Sequence, residues 1–257
     1  YFDFPVSIHF NIPGPGLHTI QPGSPLPAIT GGEVIIDGST QPGANCNVWP
    51  PTLLIELDGT SAGGSGTSGL VFSIGPGTVR GLVINRFANE NIGVYNSSGV
   101  TVQCNFLGTD NTGTHPHNGS FDNLFVNGGT NHLIGGTTPG AGNVFGGSAR
   151  GIMLADASNN IVQGNYIGVN PAGAGTVGTL AGAVIVTGGN NQIGGTSPAA
   201  RNVIAGSTAH GIWLSSANAT GNVVQGNYIG VNAAGDAPLG NAHDGVRIDS
   251  GATSNTI

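Results

Sequence analysis

The densest group of reactive side chains is His243-Asp244-Gly245-Val246-Arg247-Ile248-Asp249. In a strand, alternation puts Arg247 and Asp249 on one face and Val246 and Ile248 on the other. An arginine beside Asp244 and Asp249 could serve as a lyase-type base next to a cation-binding acid; an exposed ion pair is the plainer reading. Glycoside hydrolysis would need two carboxylates about 5–10 Å apart. No acid recurs between repeats to supply them: Asp156 aligns with Ser216, and Asp110 with Asn170 and Asn232. Asp37 and Asp58 each precede glycine, the pattern of a turn acid bonding its own backbone, with calcium ligation as the alternative. His115-Pro116-His117 offers two imidazoles to a metal from a turn-rich stretch without cysteine. His210 takes the repeat position of Arg150, which suggests a solvated slot. Trp213 and Tyr95 both align with Met153, and an outward middle position would make Trp213 a platform for a sugar ring. These residues assemble no catalytic, cofactor or metal set.

The elements that must carry them are strands. Glycine numbers 48 of 257 residues and only 7% are charged, while 38% are hydrophobic. That is too apolar for a disordered chain, and the glycines lack collagen's strict every-third spacing. The basic residues are five arginines, scattered without a stripe, in a chain of net charge −7. This excludes nucleic acid and disfavours an anionic membrane surface. No apolar run reaches the ~20 residues of a membrane span. The chain opens at Tyr1 without a secretory signal, which fits a processed N-terminus. Cys46 and Cys104 are the only cysteines; a disulfide and two free buried thiols are the alternatives. Asn96, Asn118 and Asn218 open glycosylation sequons.

Repetition sets the architecture. Gly151-Ile152-Met153-Leu154 with Asn160-Ile161-Val162-Gln163-Gly164-Asn165-Tyr166-Ile167-Gly168 recurs as Gly211-Ile212-Trp213-Leu214 with Asn222-Val223-Val224-Gln225-Gly226-Asn227-Tyr228-Ile229-Gly230. An earlier copy runs from Gly93 to Gly108, and Ile-Gly-Gly-Thr occurs at Ile134 and Ile193. The long period is about sixty residues. Short apolar triplets bounded by Gly, Asn, Ser or Thr exclude helices and cannot bury a face alone, so they must stack. They are also too short for propeller blades. Three coils of roughly twenty residues would fill each long period, with strands about 4.8 Å apart. Ile152, Ile161 and Ile193 are expected to point inward with Ile212, Val223 and Ile257. Asn143, Asn160, Asn202 and Asn222 are expected at turns where stacked amides bond along the rod.

These motifs resemble the repeats of large bacterial right-handed parallel β-helix surface proteins. Ile8-His9-Phe10-Asn11-Ile12-Pro13-Gly14 is similar to their N-terminal cap, and Gly32 to Gly43 to their first coil. The resemblance implies an all-β, right-handed parallel β-helix, with residues 1–30 as a cap region, 31–257 as the solenoid and long repeats from about 93. It also implies a secreted or cell-surface location, and no family catalytic motif maps onto this chain. With few titratable clusters, the expectation is a non-catalytic structural or adhesive module. The alternative is a polysaccharide lyase or glycoside hydrolase on the same scaffold. The final Asn255-Thr256-Ile257 carries no polar cap, so self-association head to tail into a fibre, or further domains of a longer chain, is expected there. Polysaccharide is the remaining candidate partner.

Overall fold

A computed structural model describes residues 5–117, 119–178 and 181–257. Its strands are all parallel and fall into three sheets of eight, eight and seven. Consecutive strands go to successive sheets, so the chain winds as a right-handed parallel β-helix. The described helical elements are three single 3-10 turns. Taken by their first-sheet strands, the complete coils open at Val34–Asp37, Gly77–Arg80, Val100–Gln103, Leu133–Gly135, Ile161–Gln163, Gln192–Gly194 and Val223–Gln225. The region expected as a cap contributes Val6–His9 and His18–Ile20, hydrogen-bonded in parallel onto Val34–Asp37 and Ile55–Asp58.

The interior is built of apolar columns. Ile92, Leu124, Ile152, Val184 and Ile212 stack from rung to rung in the third sheet, all fully buried. Val79, Val102, Ile134, Val162, Ile193 and Val224 do the same in the first. Each such side chain contributes roughly 1.5–3 kcal/mol of transfer free energy against its ordering entropy. Two sequence expectations fail here. Ile161 and Val223 lie on the outer face, Ile161 being 38% exposed; Ile257 falls in register with inward Val224, as expected, but no described rung covers it and it is exposed. The inward column runs through Val162 and Val224, and with a side-chain period of two, a slip of one residue reverses every face.

The coil length also departs from expectation. Asn160, Asn191 and Asn222 are successive rungs of one corner and stand 31 residues apart. The long period is therefore two coils of about thirty residues, not three of twenty. Its cause is an alternation of loop lengths. Coils three, five and seven pass from first to second sheet through two residues, Cys104-Asn105, Gly164-Asn165 and Gly226-Asn227, and then make a long loop to the third sheet. Coils four and six do the reverse, with long loops at 136–143 and 195–202. The tight corner requires a left-handed residue, supplied by Gly164 (φ 68°) and Gly226 (φ 69°). Cys104 holds the same conformation (φ 57°) without glycine's freedom.

Asparagine ladders line the corners. Asn105, Asn143, Asn165, Asn202 and Asn227 form one, in which each Oδ1 accepts the backbone N–H and the side-chain amide of the preceding member. Asn160, Asn191, Asn222 and Asn255 form another, headed by His132. The four asparagines expected at turns all belong to these ladders. With buried backbone groups paired by these ladders, the two corners hold without side-chain cover.

Cys46 and Cys104 are disulfide-bonded, with Cα atoms 5.8 Å apart. The bond ties the first coil's long loop, residues 38–54, along the second sheet. That loop reaches the fifth coil, where Trp49 stacks on Tyr166 at 4.6 Å and donates Nε1–H to the Pro171 carbonyl. Beneath it Leu53, Val83, Phe106, Val144 and Val177 form a second apolar cluster outside the helix proper.

Candidate functional site on the outer face of the third sheet

Among the described residues the third sheet carries no comparable strap, and its outer face holds most of the residues that could do chemistry. One column of outward positions contains Val71, Gly93, Phe125, Met153, Ile185, Trp213 and Arg247 in register. Trp213 thus shares the Met153 column as expected. Tyr95 does not: it aligns with Asn127 and Ala155, two residues further along the strand. Its ring leans back over Gly93, where any Cβ would collide with it, and meets Phe125 edge-on at 5.6 Å.

Beside this column two carboxylates occupy neighbouring rungs, Glu90 opposite Asp122. Glu90 Oε1 accepts hydrogen bonds from the Ser68 and Tyr95 hydroxyls, both at 2.7 Å. Asp122 accepts a fork from Arg150, with Nη2 at 2.7 Å, and the guanidinium lies over the ring of Phe121 at 4.4 Å. Both acids are sealed, 2% and 3% exposed. Burial pushes the Asp122 carboxyl above its ordinary value against the pull of Arg150, and Glu90 adds to the rise. Burial and the Glu90 carboxylate likewise push the Tyr95 phenol well up.

The group identified from sequence lies further along the same face. Arg247 Nε donates to Asp249 at 2.7 Å, and Trp213 Nε1 donates to the other oxygen of that carboxylate at 3.0 Å. Hydrogen bonds from Arg247, then from Trp213, hold Asp249 far below the usual carboxylate range. Asp244 lies 3.8 Å from Arg247 and 3.3 Å from His210 Nδ1. Asp244, Arg247 and Asp249 therefore do converge, with Trp213, His210 and His243 around them. Arg247 is spoken for by carboxylates on both sides, which keeps it a cation and unfit as a base. His210 is not in a solvated slot: it is 8% exposed and packed between Trp213 and His243.

The remaining sequence candidates fall elsewhere. Asp37 and Asp58 cap 3-10 turns by accepting the Ser39 and Thr60 N–H groups, as turn acids do. Burial alone would raise Asp58, but Thr60 and Arg86 outweigh it and hold the carboxyl low. Asp110 folds its own loop by accepting from Thr112, Thr114 and His115, and Asn170 and Asn232 repeat that role. His115 turns to Asp110, whereas His117 faces Arg86 at 3.4 Å, so the two imidazoles do not share a point. Burial and then Arg86 push His117 below its ordinary value. Asn96 and Asn218 are exposed; Asn118 lies outside the described residues.

Glu90, Asp122 and Arg150 were not joined by sequence reasoning, because neighbours across rungs are about thirty residues apart. A signal existed. Glu90-Asn91-Ile92, Asp122-Asn123-Leu124, Arg150-Gly151-Ile152, His210-Gly211-Ile212 and Asp244-Gly245-Val246 each set a titratable residue two before an inward apolar one. Alignment on the apolar residue yields the polar column directly. Comparison with family models, curated proteins and solved structures found no match to this chain.

Proposed function

We propose that this chain is a non-catalytic structural or adhesive β-helix module of the secreted or cell-surface kind found in large bacterial repeat proteins. The observation that carries the reading is the state of the acids. Glu90 and Asp122 are a carboxylate pair on adjacent rungs, but each is sealed from solvent and satisfied by partners of its own. A hydrolase needs an open acid and an open base on either side of a glycosidic oxygen. Further along the same face, the exposed Asp244 and the half-buried Asp249 neutralise Arg247 instead. The disulfide suits an oxidising compartment, and ladders at two corners give a rod whose stiffness does not depend on a ligand.

The test is turnover. Incubation with a panel of uronate, neutral and amino-sugar polysaccharides should release neither reducing ends nor unsaturated uronates above background. Measurable release abolished by Asp122→Asn would overturn the reading. The alternative, a carbohydrate-active enzyme, is favoured by one observation: the raised Asp122 carboxyl beside Glu90 has the polarity of a general acid next to a nucleophile.

A further inference from the structure

The alternating loops at the corner between the first and second sheets leave notches. The tight corners of the third and fifth coils are recessed between projecting neighbours. The strap and the 136–143 loop flank the first recess, and the 136–143 and 195–202 loops flank the second. Each recess is a cleft, of about 300 Å³ and about 280 Å³, and the two share the rim Thr138-Pro139-Gly140. Their centres are two rungs apart, roughly 10 Å, which is the length of one disaccharide of an extended β-linked glycan.

The linings are chemically selective. Each cleft has one arginine, Arg80 in the first and Arg201 in the second, and neither has a carboxylate. In a chain of net charge −7, these are also the two arginines that make no ion pair among the described residues. Arg86, Arg150 and Arg247 are each paired to aspartate. Arg201 gives only Nε to the Gly226 carbonyl and rests over Tyr228 at 3.9 Å. The Arg80 side chain has no hydrogen bond or ion pair among the described residues; Asp37, opposite it on the next rung, turns one oxygen to Ser39. The second cleft adds the stacked rings of Trp49 and Tyr166, a surface suited to the C–H face of a pyranose.

We propose that the two notches form one binding site for an acidic polysaccharide with a uronate in every second sugar. Arg80 stands on the second coil and Arg201 on the sixth, four rungs or roughly 19 Å apart. They therefore take carboxylates two disaccharides apart, and the Trp49–Tyr166 stack on the fifth coil receives a ring between them. The site deepens the adhesive reading and rests on it for the fate of the ligand, which is held and not cleaved.

Calorimetric titration with a hyaluronate octasaccharide tests this, beside a neutral β-1,4-glucan oligosaccharide of equal length. The uronate chain should bind and the neutral one should not, with affinity falling as salt rises. Arg80→Gln and Arg201→Gln should each weaken binding about tenfold, the loss of one charge-assisted contact, and Arg80→Lys should recover part of it. Arg80 makes no hydrogen bond or ion pair among the described residues, and circular dichroism checks that both variants keep the fold. Absence of uronate binding, equal binding of the neutral chain, or full affinity in the double variant would each overturn the site. Bound hyaluronate that emerges shortened would leave the site standing and defeat the non-catalytic reading.

Discussion

The second and third sheets share one interior but meet solvent in opposite ways. Outside the second sheet Val83, Phe106 and Val144 are fully buried beneath the strap, which a disulfide and the Trp49 stack hold down. Outside the third, Phe125, Met153 and Trp213 stand partly exposed, and the polar column beside them is quieted by ion pairs instead of cover. A parallel sheet ordinarily needs both faces covered. The third sheet shows the exception: with ladders satisfying the backbone at two of the three corners, its outer face stays open.

The largest test removes the tie. Replacing both Cys46 and Cys104 with alanine should cost about 4 kcal/mol, as expected for closure of a loop of this length, measured by urea unfolding. If the strap stays down without the bond, the loss will fall well short. Next, Phe106→Ala should cost about 4 kcal/mol, since a fully buried aromatic leaves a cavity, while Phe125→Ala on the open face should cost about 1 kcal/mol. Equal losses would erase the distinction between the faces. Arg150→Leu strands the sealed Asp122 carboxylate and should cost about 3 kcal/mol at neutral pH. Because that carboxylate can then take up a proton, the loss should shrink toward pH 4.

The last test concerns the corner bordering the open face. His132 heads the ladder there, buried, with Nδ1 accepting the Val100 N–H. Burial pushes its pKa down to about 4. The unfolded imidazole takes up its proton near 6.5 and the folded one only near 4, so stability is full above pH 6.5 and is lost as pH falls through that window. At 1.4 kcal/mol per unit the loss approaches about 3 kcal/mol. His132→Asn, which restores the ladder's own residue, should flatten that part of the stability profile. A slope unchanged by the substitution would mean that another group carries it.

Much of this was readable from residue order. Repeated Gln-Gly-Asn and Ile-Gly-Gly-Thr announced stacked coils, and Asn143, Asn160, Asn202 and Asn222 announced amide ladders, because turns that need a left-handed residue and a satisfied backbone leave a small choice of residues. The coil length was misjudged because two spellings of the coil alternate, and only the spatial alternation of long and short loops explains why. Register was misjudged at Ile161 and Val223, where two apolar neighbours compete and packing against Ile134 and Ile193 decides.

From sequence alone, the chain's class, its stacking and its low charge could be established, since composition and periodicity act locally and repeat. Which residues meet was decided only by the tertiary structure. The pairing of Glu90 with Asp122, the strap's reach to Tyr166, and the placing of Arg80 and Arg201 in clefts whose linings hold no carboxylate depend on contacts made about thirty or more residues apart. Winding converts that separation into a few ångströms, and no local pattern records how far each loop projects.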